Sequence, residues 1–130
     1  MNPHATHAQC RLLVVDDDHD LVDSLCEWVV LTSPWMAEAA YGAADAVAQT
    51  ETRPADAILL DMEMHGADGF ATAEQLGRAA GEKHSAILAL TGNAHLQNAA
   101  SHDVRFFASL LKPADPDRLL GLLARLALDH

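Results

Sequence analysis

Short apolar runs of strand length alternate with segments of helical character, and this alternation is the feature that most constrains the fold. Four clear runs read RLLVV, AILL, AILAL and FFASLL, at residues 11–15, 57–60, 86–90 and 106–111. A weaker strand is predicted over 35–41. Helices are predicted over 19–31, 42–52, 70–80, 94–101 and from 116 onward. Strands that alternate with helices form a parallel sheet covered on both faces, so the sequence predicts an α/β fold.

The alternation of strands and helices begins only after the first ten residues. Residues 1–10, MNPHATHAQC, are polar and aperiodic and are predicted to form a flexible N-terminal lead-in to one domain over residues 11–130. In the last helix Asp115 is a favoured N-cap, and Pro116 suits the first helical position because its missing N–H has no partner there.

Composition excludes some classes of protein. Acidic residues outnumber basic ones 19 to 8, and the formal net charge is −11. Nucleic-acid-binding domains hold phosphates with clustered Lys and Arg, and here the basic residues are scattered. There is no signal-peptide profile and no apolar run of membrane-spanning length, so a cytoplasmic protein is expected. Cys10 and Cys26 lack metal-ligand spacing.

Polar residues follow the predicted strands directly. Asp16 and Asp17 follow the first strand, and Asp61, Thr91 and Lys112 follow the third, fourth and fifth. The carboxyl ends of parallel strands meet at one edge of the sheet, where ligands of such folds bind. These side chains are therefore expected to lie together.

Three consecutive carboxylates, at positions 16–18, repel one another and call for a compensating cation. Oxygen ligands of this kind suit Mg²⁺, and also Mn²⁺. A carboxylate such as Asp61 is able to act as a nucleophile toward a phosphoryl group. A metal on one side and Lys112 on the other would stabilise the charge of that group, and Thr91 would bond one of its oxygens.

Four segments resemble the receiver domain of two-component response regulators, and the chain is similar to the chemotaxis regulators of that family. The four segments are DDD at 16–18, ILLDMEMHGADG at 58–69, LTGNA at 90–94 and LLKP at 110–113. The resemblance runs from about residue 11 to residue 128, and the ordered set is far more specific than any one piece. It implies a flavodoxin-like (βα)₅ three-layer sandwich with a parallel sheet in the strand order 2-1-3-4-5.

The resemblance also implies roles for the residues at the strand ends. Asp61 matches the phosphoacceptor, Asp17 a direct metal ligand, and Asp16 the acid that holds the ion partly through water. Glu63 matches the position whose backbone carbonyl binds the metal. Asp18 matches no metal ligand and is expected to help start the first helix.

Three further roles follow in the same way. Thr91 matches the switch hydroxyl, and Lys112 matches the family lysine, followed by a cis peptide to Pro113. Asn93 and Glu63 match two positions that flank the attacking water and tune the lifetime of the phosphoryl group. We hypothesise that the Glu63 carboxylate alters metal affinity or hydrolysis rate, so that Glu63→Ala changes the dephosphorylation half-life.

Two departures from the family pattern affect the switch. Ser109 occupies the position of the switch aromatic, so the usual coupling to Thr91 must be rewired, weakened or carried by Phe106 or Phe107. His65 replaces a proline, which frees the loop backbone four residues after Asp61. The simplest interpretation of His65 is an exposed loop residue.

The expected function is that of a phosphorylatable receiver that takes a phosphoryl group from a histidine kinase or phosphotransfer protein onto Asp61. It would be a signalling switch and not a turnover enzyme, and an unknown downstream protein would receive its output, with no direct nucleic-acid or membrane contact. The sequence leaves open whether it is a stand-alone protein or part of a hybrid kinase.

Two alternatives remain. One is a receiver that acts as a phosphate-independent interaction module, which the complete set of key residues opposes and Ser109 favours. The other is a Mg²⁺-dependent aspartyl-phosphate phosphatase of the haloacid dehalogenase type, which the order of the acidic motifs opposes.

Overall fold

Five parallel strands form one sheet in the order β2-β1-β3-β4-β5, as predicted. The computed structural model describes residues 9–129, so residues 1–8 of the predicted lead-in lie outside the described part. The strands are β1 (Arg11–Val15), β2 (Met36–Ala40), β3 (Ala57–Asp61), β4 (Ala86–Thr91) and β5 (Ala108–Leu111).

A helix follows each strand. The helices are α1 (His19–Thr32), α2 (Ala43–Thr52), α3 (Gly69–Ala80), α4 (Ala94–Ser101) and α5 (Pro116–Leu128). Asp18 caps α1 by accepting a hydrogen bond from the Leu21 amide, and Asp115 caps α5 by accepting one from the Asp117 amide. Both residues begin their helices as the sequence predicts.

The strand residues alternate between two apolar layers, which gives the predicted three-layer sandwich. Leu12, Val14 and Leu59 pack with residues of α1 and α5 on one face. Leu13 and Ile58 pack with residues of α2, α3 and α4 on the other. Since both faces are covered, the three central strands β1, β3 and β4 carry polar residues only at their ends, whereas the edge strands contain Glu38 in β2 and Ser109 in β5.

The last strand is shorter than the sequence indicates. It begins at Ala108, whereas the apolar run predicts a start at Phe106. The Phe106 amide bonds to the Asp103 carbonyl in a turn, and its ring packs edge-on against Phe70 with 5.7 Å between the ring centroids. Phe106 is therefore apolar because it fills the core beneath α3, and not because it belongs to the sheet.

Gly69 is the point where the chain after β3 enters α3. A Cβ atom at this position would lie 2.7 Å from both Sδ and Cε of Met62 and 3.0 Å from its Cα. Only glycine permits so close an approach. The start of α3 is thereby packed directly against the residue that follows Asp61.

None of the helices in residues 9–129 combines the length and apolar character needed to cross a bilayer.

Candidate functional site

The carboxyl ends of the strands bring the predicted site residues to one edge of the sheet. Val15 is in register with Leu60, Asp61 with Leu90, and Thr91 with Leu111. Because the strands end at nearly the same level, the polar residues that end or follow them are neighbours. The helices that come next begin at this edge, so their positive dipole ends face it.

Three carboxylates form a cluster here. Asp16, Asp17 and Asp61 each offer an oxygen, and these oxygens all lie within 4.8 Å of one another. Asp16 and Asp61 are 4% and 3% exposed, while Asp17 is exposed. So close a group of oxygen donors, with one side open to solvent, fits a hard divalent cation such as Mg²⁺ or Mn²⁺.

Asp16 supports that fit independently. Its Oδ1 accepts a hydrogen bond from the Asp18 amide at 3.1 Å. Its Oδ2 is buried and has no hydrogen-bond partner within residues 9–129, and the Lys112 ammonium is 3.8 Å away. Burial, and then the negative charge of Asp61, raise the pKa of Asp16 to about 6. A buried carboxylate oxygen without a partner is costly, and a metal ion or its water ligand would satisfy it.

Asp61 is held between a lysine and a backbone amide. Its Oδ1 lies 3.0 Å from Lys112 Nζ and accepts a hydrogen bond from the Glu63 amide at 3.0 Å. Burial opposes the charge of Lys112, but the contact with Asp61 and the nearby Asp16 carboxylate together raise the pKa of Lys112. The lysine is thus a fixed cation beside the carboxylate. The peptide between Lys112 and Pro113 is cis, as the resemblance implies.

His65 is exposed, as the sequence indicates, but it also contacts the acid cluster. Its backbone amide donates to Asp17 Oδ2 at 3.1 Å, and its Nδ1 lies 3.1 Å from the same oxygen. These contacts lower the pKa of Asp17. A proline at position 65 has no amide hydrogen and would remove the first contact. The absence of the family proline at position 65 therefore indicates, from the sequence alone, that a backbone amide is present to donate to a neighbouring acid.

Thr91 is completely buried and bonded to Glu63. The Thr91 hydroxyl donates to Glu63 Oε1, and the Gly92 amide donates to the same oxygen at 2.6 Å. Thr91 Oγ1 in turn accepts from the Asn93 amide at 3.0 Å. The hydrogen bond from Thr91, and to a smaller extent that from the Gly92 amide, lower the pKa of Glu63. The sequence indicates a tuning role for the Glu63 side chain but does not predict these two partners.

Asn93 begins α4. Its side-chain oxygen accepts hydrogen bonds from the amides of His95 and Leu96 at 2.8 and 3.1 Å. Because its own amide is bonded to Thr91, Asn93 connects the Thr91 hydroxyl directly to the first turn of α4.

Ser109, at the position of the family's switch aromatic, is buried and donates to the Gln97 carbonyl of α4 at 2.9 Å. Neither candidate substitute for the aromatic reaches the site: the Phe106 ring packs on Phe70, and the exposed Phe107 ring lies beneath the Arg125 guanidinium. Ser109 is therefore a link between β5 and α4. The partner is a backbone carbonyl, so no side-chain pattern in the sequence could have indicated it.

The metal-binding role of the Glu63 backbone carbonyl stays a prediction.

Comparison with known proteins identifies the family. The family model for the response regulator receiver domain matches residues 12–124. No curated protein sequence matches the chain significantly. Among solved structures, the fold resembles a putative response regulator from Chloroflexus aurantiacus, with 25% identity and a TM-score of 0.79 over 93% of this chain and 99% of that one.

Two other structures share the fold at lower identity. The chemotaxis protein CheY4 of Vibrio cholerae is 24% identical, with a TM-score of 0.79 over 92% of this chain and 99% of that one. A CheY-like receiver domain protein from Methanospirillum hungatei is 24% identical, with a TM-score of 0.80 over 94% and 96%. The family match over most of the chain, the strand order and the acid cluster lead to one conclusion: the protein belongs to the response regulator receiver domain family of two-component signalling.

Proposed function

We propose that this receiver accepts a phosphoryl group on Asp61 from a histidine kinase or a histidine phosphotransfer protein, and that the modified form changes its binding to a downstream protein. The observation that carries the proposal is the position of the Asp61 carboxylate between the Lys112 ammonium, 3.0 Å away, and the oxygen cluster with Asp16 and Asp17.

The chemistry needs the groups at this edge, a divalent cation and a phosphoryl donor. A carboxylate oxygen of Asp61 attacks phosphorus, and the bond from phosphorus to the donor's nitrogen or oxygen breaks. The electron pair leaves with the donor, and the product is an acyl phosphate. Lys112 stabilises the negative charge of the group in transfer, and Asp16 and Asp17 would hold Mg²⁺ or Mn²⁺, which supplies further positive charge when bound. Slow hydrolysis would reset the protein, so it is a switch and not a turnover enzyme.

The test is the intact mass of the protein after incubation with acetyl phosphate and Mg²⁺, beside Asp61→Asn. We expect a mass gain of one phosphoryl group in the wild type. The gain should be absent in Asp61→Asn and absent when a chelator removes the metal. A wild type that gains no mass, under conditions that label a control receiver, would contradict the proposal and favour a phosphate-independent interaction module.

A further inference from the structure

The Thr91 hydroxyl, which would bond a phosphoryl group on Asp61, already donates its hydrogen bond to another residue. Thr91 is fully buried, and its single O–H hydrogen is donated to the Glu63 carboxylate. A threonine hydroxyl has one hydrogen to donate. Thr91 is therefore unable to bond Glu63 and a phosphoryl oxygen on Asp61 at the same time.

Glu63 is also connected to the phosphoacceptor. Its backbone amide donates to Asp61 Oδ1 at 3.0 Å, while its carboxylate holds both the Thr91 hydroxyl and the Gly92 amide. One loop residue thus contacts Asp61 through its backbone and the end of β4 through its side chain. New negative charge on Asp61 would lie close to the Glu63 carboxylate, and like charges repel.

The contact also bears on α4. Gly92 and Asn93 form the turn between β4 and α4, and the Asn93 amide donates to the same Thr91 oxygen that is bonded to Glu63. Farther along α4, the Gln97 carbonyl is held by Ser109 of β5. The turn before α4 is thus bonded to Glu63 through the Gly92 amide, whereas the middle of α4 is bonded to the sheet through Ser109.

We propose that Glu63 is a latch for the unphosphorylated state, and that a phosphoryl group on Asp61 opens it. The name Glu63 latch refers to the Glu63 carboxylate with the Thr91 hydroxyl and the Gly92 amide. In the closed state it holds the β4–α4 turn. In the open state Thr91 donates to the phosphoryl group, the Gly92 amide is released, and the turn moves without any rotation of residue 109. The inference rests on the proposed phosphorylation of Asp61.

A double-mutant cycle tests the competition for the Thr91 hydroxyl. The variants are Glu63→Ala, Thr91→Val and the double variant, with Thr91→Ser as a conservative form that keeps the hydroxyl. The measurement is the dissociation constant of beryllium trifluoride in the presence of Mg²⁺. Its beryllium takes a carboxylate oxygen as a fourth ligand, and the resulting tetrahedral adduct resembles an acyl phosphate.

We expect Glu63→Ala to tighten binding about tenfold, equivalent to about 1.4 kcal/mol, when Thr91 is present. The same change should tighten binding less than about threefold in the Thr91→Val background, because no hydroxyl is then released. Thr91→Ser should behave as the wild type does. An equal factor in both backgrounds would show that Glu63 acts only through its charge, and the latch would be overturned.

A second measurement needs neither metal nor phosphate. In the unmodified, metal-free protein, we expect Glu63→Ala to shift the Gly92 amide resonance and to raise its hydrogen-exchange rate at least about tenfold, because its bond to Glu63 Oε1 is lost. Glu82→Ala, which removes an exposed charge just before β4, should leave Gly92 unchanged. An unchanged Gly92 amide in Glu63→Ala overturns the latch.

The two proposals fail differently. If the wild type binds no beryllium trifluoride and gains no phosphoryl mass, the proposed function fails and the latch fails with it. If the wild type does both, but the cycle shows no coupling between Glu63 and Thr91, only the latch fails.

Discussion

Asp56, at the amino edge of the sheet, and Asp16, at the carboxyl edge, are similarly buried, with side chains 10% and 6% exposed. Both oxygens of Asp56 are bonded: one to the Arg11 amide at 2.7 Å and the other to Lys83 Nζ at 2.6 Å. In Asp16 one oxygen has no hydrogen-bond partner within residues 9–129. An aspartate of similar burial thus has both carboxylate oxygens bonded at the amino edge, and only one oxygen hydrogen-bonded at the carboxyl edge.

The difference separates charges that are paired within the fold from charges that are only partly paired. Near Asp56, the guanidinium of Arg11 also bonds Glu38 and the Pro54 carbonyl, so that Arg11, Glu38, Lys83 and Asp56 all have partners of opposite charge or backbone partners. At the carboxyl edge two buried carboxylates share one lysine. A buried charge that is incompletely paired costs stability, and such groups are concentrated at functional sites.

The largest expected effect is on metal binding at the incomplete edge. Asp16→Asn should weaken Mg²⁺ binding about 100-fold or more, because a charged oxygen ligand is lost. The same variant, without metal, should gain about 1 kcal/mol in free energy of unfolding, since the buried charge beside Asp61 disappears. Titration calorimetry and urea unfolding measure the two changes. A variant that binds Mg²⁺ as the wild type does would remove the distinction drawn between the edges.

The matched substitution at the amino edge should have the opposite sign. Asp56→Asn should lower the free energy of unfolding by roughly 1–3 kcal/mol, because it leaves Lys83 without its counter-charge and weakens the bond to the Arg11 amide. Urea unfolding measures the loss, and Mg²⁺ affinity should be unaltered. A gain in stability would mean that pairing at this edge contributes nothing to the fold.

Lowering the pH should reduce the destabilisation caused by Asp16 at the carboxyl edge. The pKa of Asp16 is about 6 in the folded protein and lies above the unfolded value of about 4, so the folded state binds this proton more tightly. The penalty from the ionised Asp16 is complete above pH 6 and is lost as the pH falls below that value. Between pH 7 and pH 5 this group should add about 1 kcal/mol to the free energy of unfolding of the metal-free protein.

Asp16→Asn serves as the control for the effect of pH, because it lacks the group. The stability difference between the variant and the wild type should narrow between pH 7 and pH 5. If the stability difference between Asp16→Asn and the wild type stays constant across this range, the pH dependence must come from other groups. Mg²⁺ binding should weaken over the same range, since the metal requires the ionised carboxylate.

The smallest expected effect is at the exposed part of the amino edge. The Glu38 side chain is 42% exposed, and it pairs with Arg11 at 3.1 Å. Glu38→Gln should lower the free energy of unfolding by only about 0.5 kcal/mol, because surface ion pairs contribute little. Urea unfolding at low and high salt should show the difference disappearing at high salt. A larger, salt-independent loss would mean that this pair is as important as that of Asp56.

The sequence predicted the fold and the positions of the site residues because both depend on local patterns. An apolar run that stops at a polar residue locates the end of a strand, and in a parallel sheet those ends must meet. Asp16, Asp61, Thr91 and Lys112 follow from that rule alone. The caps at Asp18 and Asp115 are equally local, since each bonds an amide two or three residues ahead.

The failures have a common cause in contacts between distant segments. Phe106 looked like a strand residue because apolar character does not distinguish the sheet from the core beneath a helix. The bonds from Thr91 to Glu63 and from Ser109 to Gln97 depend on how segments that are distant in the sequence approach one another. No periodicity in the sequence indicates such contacts, so the partners of Thr91 and Ser109 are identified only from the three-dimensional structure.

The close packing of Gly69 on Met62 divides the helical glycines into two classes for anyone who wishes to engineer this receiver. Gly77 in α3 and Gly121 in α5 have open space where a Cβ would lie. Alanine at either should therefore raise the melting temperature, because glycine costs about 0.5–1 kcal/mol within a helix. At Gly69 the same change would push Met62, and with it the backbone beside Asp61. A randomised library should thus keep glycine at position 69 and allow replacement at positions 77 and 121. The resulting variants should be more stable, with the carboxyl edge of the sheet unchanged.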